Sequence, residues 1–134
     1  MAKHHEALIY VMVLASAADR NMTDAELREM GETIRFLPVF KGFDPDGIPK
    51  VAGACAKTLE DADGLDSALD FIDQALPAKL RETAYAIACD VVAADNRASQ
   101  EELRLLEMLR DKFDMDPLVA AAIERGARAR HLRL

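Results

Sequence analysis

The sequence predicts an all-α fold, a single-domain bundle of about seven helices covering residues 1–134, and three observations carry that expectation. Apolar residues recur three and four positions apart along most of the chain, the spacing of helix faces. Alanine supplies 24 of the 134 residues and tryptophan none, which suits helices packed closely through small side chains. Finally, a pattern near the start returns 76 positions later: Ala17, Ala18, Asp19, Glu26, Leu27 and Arg28 fall on Ala93, Ala94, Asp95, Glu102, Leu103 and Arg104, with Ser99 at the place of Thr23. Each copy follows an apolar run, crosses a short polar turn and opens a new helix, so the expected plan contains two repeated helical hairpins, at about 3–36 and 78–113.

The first helix is expected over 3–18. Leu8, Val11, Met12 and Ala15 share one face, with Ile9, Val13 and Ala17 beside it, so it is apolar nearly all round and belongs at the centre. Thr23 then reads as an N-cap with Glu26 three residues on, a capping box that starts a second helix ending near Phe36. Pro38, Gly42, Pro45 and Gly47 make 37–47 a loop, anchored by Phe40 and Phe43. A third helix is expected over 48–60, since Pro49 is tolerated in a first turn. The fourth covers 65–76, with Leu65, Leu69, Ile72 and Leu76 as its apolar stripe. Pro77 opens a fifth over 78–94, whose core side carries Leu80, Ala84, Ile87, Val91 and Ala94. Ser99 and Glu102 repeat the capping box, and the sixth helix places Leu103, Leu106, Leu109 and Phe113 at core spacing. Asp116 followed by Pro117 is a cap and start for a seventh, through Ala120, Ile123 and Ala127 to about Arg130.

Composition excludes several functions. A formal charge of -7 repels nucleic-acid phosphate and leaves cations or basic partners as the natural counter-charge. Cys55 and Cys89, in helices among small apolar residues and without CxxC spacing, read as small core residues of a reducing cytoplasm. The uncharged run 7–18 falls short of the roughly 20 residues that span a bilayer, and it lacks the basic start of a signal peptide. No Gly-rich phosphate loop, GxSxG elbow or HExxH motif is present, and His4, His5 and His131 lie at the chain ends, where a terminal zinc site is the only use they suggest. The sequence therefore reads as a non-enzymatic cytoplasmic protein.

The candidate site is the carboxylate set of the repeated loops: Asp19, Glu26, Asp95 and Glu102. In each copy the Asp lies just beyond a helix C-terminus, where the macrodipole disfavours a negative charge by roughly 0.3–1 kcal/mol. Arg20, Arg28 or Arg97 could offset that, and so could a divalent cation, since hard cations favour clustered carboxylate and carbonyl oxygens. Each Glu is also explained as half of a capping box, so a cap-only role stays open beside the metal role. An EF-hand does not fit: it needs Gly at position six and Glu at twelve, whereas the loops from Asp19 and Asp95 offer Asp24 with Met30 and Gln100 with Leu106, and the stretch from Asp61 places Ile72 at twelve. Asp90, inside the apolar run 86–94, either sits at an edge or is buried against a cation such as Arg97 and joins the acidic set as a further ligand.

The pattern Ala-Asp, a few loop residues, Ser or Thr, then Glu-Leu, twice in a small helical chain, resembles the tellurite-resistance protein B (TerB-like) family over 7–34 and 83–113. Family members usually carry Gly after the Asp, where this chain has Arg20 and Asn96. The resemblance implies an all-helical domain acting in the response to tellurite or related stress, with an acidic surface that binds a divalent metal ion of unspecified identity. The alternative is a protein-interaction adaptor whose acidic loops serve only as caps. Another protein is the expected partner, a membrane-associated one included. The tail reverses the charge balance: Arg125, Arg128, Arg130 and Arg133 against Glu124 favour weak contact with anionic lipid at the inner membrane, or simple docking of the helix end on the acidic body.

Overall fold

The structure, a computed structural model, describes residues 2–16, 24–94 and 99–134, all but Glu26 with their side chains. Among these residues there are seven α-helices and no strand: α1 Lys3–Ser16, α2 Asp24–Phe36, α3 Ile48–Thr58, α4 Gly64–Ala75, α5 Arg81–Ala94, α6 Gln100–Lys112 and α7 Pro117–Arg130. Short 3-10 turns at Pro38–Phe40, Pro45–Gly47 and Ala78–Leu80 connect them. The expected all-α class is the observed one.

The sequence of α1 decides the arrangement. Ala7, Leu8, Ile9, Val11, Met12, Val13 and Ala15 are all buried, and together they cover every side of the helix. A helix that is apolar all round must be enclosed. Accordingly α1 packs against α3, α4 and α5, and also touches α2 and α6. Aromatic contact adds to this on one side, with the Tyr10 ring 4.7 Å from that of Phe71 on α4. The second central element is α5, which buries Ala84, Tyr85, Ile87, Ala88, Cys89 and Val92 between α1 and α7. Cys55 and Cys89 are free, buried core residues as expected.

The second helices of the two expected hairpins match in register. Both α2 and α6 have 13 residues, and their first and last residues stand 76 positions apart, the displacement of the sequence echo. Ser99 caps α6, while Thr23, the expected cap of α2, lies outside the described residues.

Several expected core positions are corrected. Leu65 is 38% exposed although it has the phase of the α4 stripe. It stands in the first turn, and because Cα–Cβ bonds tilt toward the helix N-terminus its side chain projects past the end of its packing partners. Gly64 and Ala68 are buried there instead. Leu103 is 47% exposed, and Leu105 takes its place beside Leu106, Leu109 and Phe113. At about 100° per residue, the last four form one face and Leu103 lies roughly a quarter turn away from it. Leu80 packs on the core from the 3-10 turn before α5 rather than from the helix. The loop after α2 is anchored as expected by buried Phe40, with Phe43 half-buried beside it. His5, 7% exposed, binds this loop to α1: its Nε2–H donates to the Val39 carbonyl at 2.9 Å, and its ring stacks on Phe40 at 5.6 Å.

Two corners depend on the backbone itself. At the α3–α4 corner a Cβ on Gly64 would lie 2.4 Å from the Thr58 carbonyl oxygen and 2.7 Å from Leu59 Cα. Only glycine allows that approach. After α6, Asp114 adopts φ 49°, with Met115 N–H donating to Arg110 O and Asp114 N–H to Asp111 O, the Schellman arrangement. Asp occupies the left-handed position that glycine fills at less cost. Gly64→Ala should therefore lower stability by about 1–3 kcal/mol through overpacking, while Asp114→Gly should leave it equal or raise it by a few tenths of a kcal/mol. Denaturant melts of the two variants check both signs, and a harmless Gly64→Ala would refute the close contact.

Candidate functional site

Of the sequence-predicted carboxylates, the structure describes the side chains of Glu102 on α6 and Asp90 on α5. Asp19 and Asp95 lie outside the described residues, as does the side chain of Glu26. Glu102 sits at the third position of α6 in a complete capping box: Ser99 Oγ accepts from Glu102 N–H at 3.1 Å, and Glu102 Oε1 accepts from Ser99 N–H at 3.0 Å. The second oxygen of Glu102 meets no donor among the described residues. Asp90, half-buried on α5, accepts from Arg130 Nε at 3.2 Å and Nη2 at 2.6 Å, and His131 Nε2 lies 3.5 Å away. The cation that Asp90 meets is therefore Arg130 from the tail, and its position is at an edge. Among the described residues no three of His, Cys, Asp and Glu are grouped as a metal ion would require, and the set 19, 26, 95 and 102 is described in only one of its four side chains.

The arginine tail folds back on the body. Besides Arg130, Arg133 directs Nη2 at the Ala94 carbonyl, at 3.5 Å, at the C-terminal end of α5, where a cation is favoured by the helix dipole. Arg125 and Arg128 point to solvent. With 55% and 38% of its two side chains exposed, the Arg130–Asp90 pair belongs to the class worth about 0–1 kcal/mol. It orients the tail more than it stabilises the fold.

A polar network that sequence spacing did not reveal lies between α5, α6 and α7. Tyr85 is fully buried, its hydroxyl donates to Glu124 Oε2 at 2.5 Å, and Arg110 Nη1 donates both to that hydroxyl at 2.7 Å and to Glu124 Oε2 at 3.0 Å. One residue comes from each helix, so no local motif records it. The signal available was a Tyr in an otherwise apolar face, since buried phenols find hydrogen-bond partners. Burial, with the hydrogen bond to the Glu124 carboxylate, holds the Tyr85 phenol well above its usual range. Burial likewise pushes the Cys55 thiol up to about 12 and the Cys89 thiol up to about 11, which leaves both as unreactive thiols at neutral pH.

Two concave regions border α7. One, of 420 Å³, lies between α6 and α7 and is lined by Arg110, Asp111, Asp114 and Glu124 with Met115, Pro117, Ala120 and Ala121. The other, of 340 Å³, lies among α5, α6 and α7 and is mainly apolar. A third, of 540 Å³, adjoins His5 and the turn 42–47.

A family model described as tellurite resistance protein TerB matches residues 5–125. The chain belongs to the TerB family. The TerB match takes in both acidic loops and five complete helices, α2 to α6; it begins within α1 and ends within α7. The TerB domain is all-α and is not a known enzyme fold. No curated protein and no solved structure matches the chain. Among the described residues, no helix of this TerB-family protein is long and apolar enough to cross a membrane.

Two outcomes follow from this geometry. Ser99→Ala should cost about 1 kcal/mol, read as a lower denaturation midpoint; no change would mean that the box is not formed in solution. The raised Tyr85, Cys55 and Cys89 values mean that the unfolded chain loses these protons first as pH rises, so folding stability declines above about pH 9. Stability from these groups is fully present below their ordinary values, 9.0 for the thiols and 10.0 for the phenol. Tyr85→Phe should flatten the part of the decline above pH 10 while costing about 1–3 kcal/mol at neutral pH, because Arg110 and Glu124 lose a buried partner. Urea melts across the alkaline range measure both.

Proposed function

We propose that this TerB-family protein acts without catalysis in the response to tellurite or related chemical stress, by holding a divalent cation on Asp19, Glu26, Asp95 and Glu102. The observation that carries the reading is the family match, which spans both acidic loops. Electrostatics supports it. Each Asp follows an apolar helical run in sequence, at the end where the dipole disfavours a carboxylate. A hard cation would offset both that cost and the mutual repulsion of four like charges. Glu102 suits a ligand role, since its capping bond occupies one oxygen and no donor among the described residues meets the other. When bound, the cation would supply charge neutralisation and a link between the two hairpin arms. Asp90 stays outside this set, because Arg130 already meets its charge.

The second reading, an adaptor module without metal, draws support from the complete Ser99–Glu102 box, which accounts for Glu102 with no ligand at all. In either case the proposed setting is the cytoplasm, with a protein partner; contact at an anionic inner-membrane surface would rest on Arg125 and Arg128, since Arg130 and Arg133 face the body.

Calorimetric unfolding with added calcium, magnesium or zinc separates the two. A cation at a hundred times its dissociation constant should add about 2.7 kcal/mol. Asp95→Asn should lose most of that gain, and Asp90→Asn should keep it. An unchanged midpoint in the wild type with all three ions would overturn the cation reading and leave the adaptor.

A further inference from the structure

The 340 Å³ cavity among α5, α6 and α7 has a floor of buried Cys89, Val92, Leu106 and Ala127. The floor carries no charge at neutral pH, since the Cys89 thiol is held protonated by burial. On its open side stand Arg128, exposed, and Leu132, 80% exposed. The nearby acids are matched: Glu124, which also lines the cavity, is bonded to Arg110 and Tyr85, and Asp90, beside the lining His131, is bonded to Arg130. Arg128 has no hydrogen bond or ion pair among the described residues. In a chain of net charge -7, the one unmatched full charge at this cavity among the described residues is therefore positive.

Small-molecule sites occupy about 300–1,000 Å³ and combine apolar walls with a few polar groups that orient the ligand. At 340 Å³ this cavity lies at the small end, enough for one alkyl chain and too little for a two-chain lipid. We propose that it binds a small amphipathic anion, a single-chain carboxylate whose tail lies on the apolar floor and whose headgroup pairs with the Arg128 guanidinium, a geometry suited to bidentate contact.

Isothermal titration of the full chain with decanoate, decanol and decylammonium, in the presence of a chelator so that the loop carboxylates play no part, tests this. Decanoate should bind with one-to-one stoichiometry, and decylammonium should not bind. Arg128→Glu should weaken decanoate by about tenfold or more, the loss expected for one charge-assisted contact, and Arg128→Lys should recover part of it. Because Arg128 is exposed and has no partner among the described residues, both variants should melt with the wild type, and Ala93→Leu, which narrows the cavity, gives an independent loss of binding. Three results overturn the proposal: no saturable binding of decanoate, equal affinity in wild type and Arg128→Glu, or sedimentation showing that a second copy of the chain already covers this face.

Discussion

The enclosure of α1 is the constraint on which the other helices depend. Fully burying side chains such as Leu8, Ile9, Val11, Met12 and Val13 stabilises by about 1.5–3 kcal/mol each, and the five together are comparable with the whole net stability of a small domain, about 5–15 kcal/mol. No partial surrounding of α1 could realise that. The chain must therefore bring helices to all of its sides, and α3, α4 and α5 do so while α2 and α6 close the remainder. His5 shows how the enclosure is completed at one end: its ring fills space against Phe40 and Phe43 while its single N–H reaches a loop carbonyl, so a polar residue is buried without an unmet donor.

Much of this was legible because it is local and periodic. Seven helices, the loop at 37–47, the Ser99–Glu102 box and the Asp116 cap with its bonds to Leu118 and Val119 N–H all follow from short-range chemistry. The misread positions are those where a neighbour decides. Leu65 has the right phase for burial but stands in the first turn of α4, where it is 38% exposed, and Leu103 was placed on the core by three-residue spacing that the wider face of Leu105, Leu106, Leu109 and Phe113 outweighs. Gly64 is required by an approach to the backbone of Thr58 and Leu59 that no periodicity encodes. The Tyr85–Arg110–Glu124 network joins residues 25 and 39 positions from Tyr85, which places it beyond any local pattern.

The candidate acidic set divides along the same line. Its residue types and spacing could be read from the repeat, and the bond that occupies Glu102 Oε1 was anticipated as half of a cap. Asp90 could not be assigned from sequence, because its partner Arg130 is 40 residues away on another helix, whereas Arg97, the cation considered for it, is close in sequence.

The tail shows how such long-range pairing changes a functional reading. Four arginines at the end of an acidic chain suggest, by count, a basic patch available to an anionic surface. Their partners divide that count. Arg130 is paired with Asp90, and Arg133 directs its Nη2 at a carbonyl at the negative end of α5, so both are turned toward the body. Both bonds hold the end of α7 against α5, which keeps His131 and Leu132 beside the apolar floor formed by Val92, Leu106 and Ala127. Docking the tail thus forms a cavity and leaves Arg128 on its open side, so that of the two outward arginines, Arg125 and Arg128, one stands at a concave apolar site.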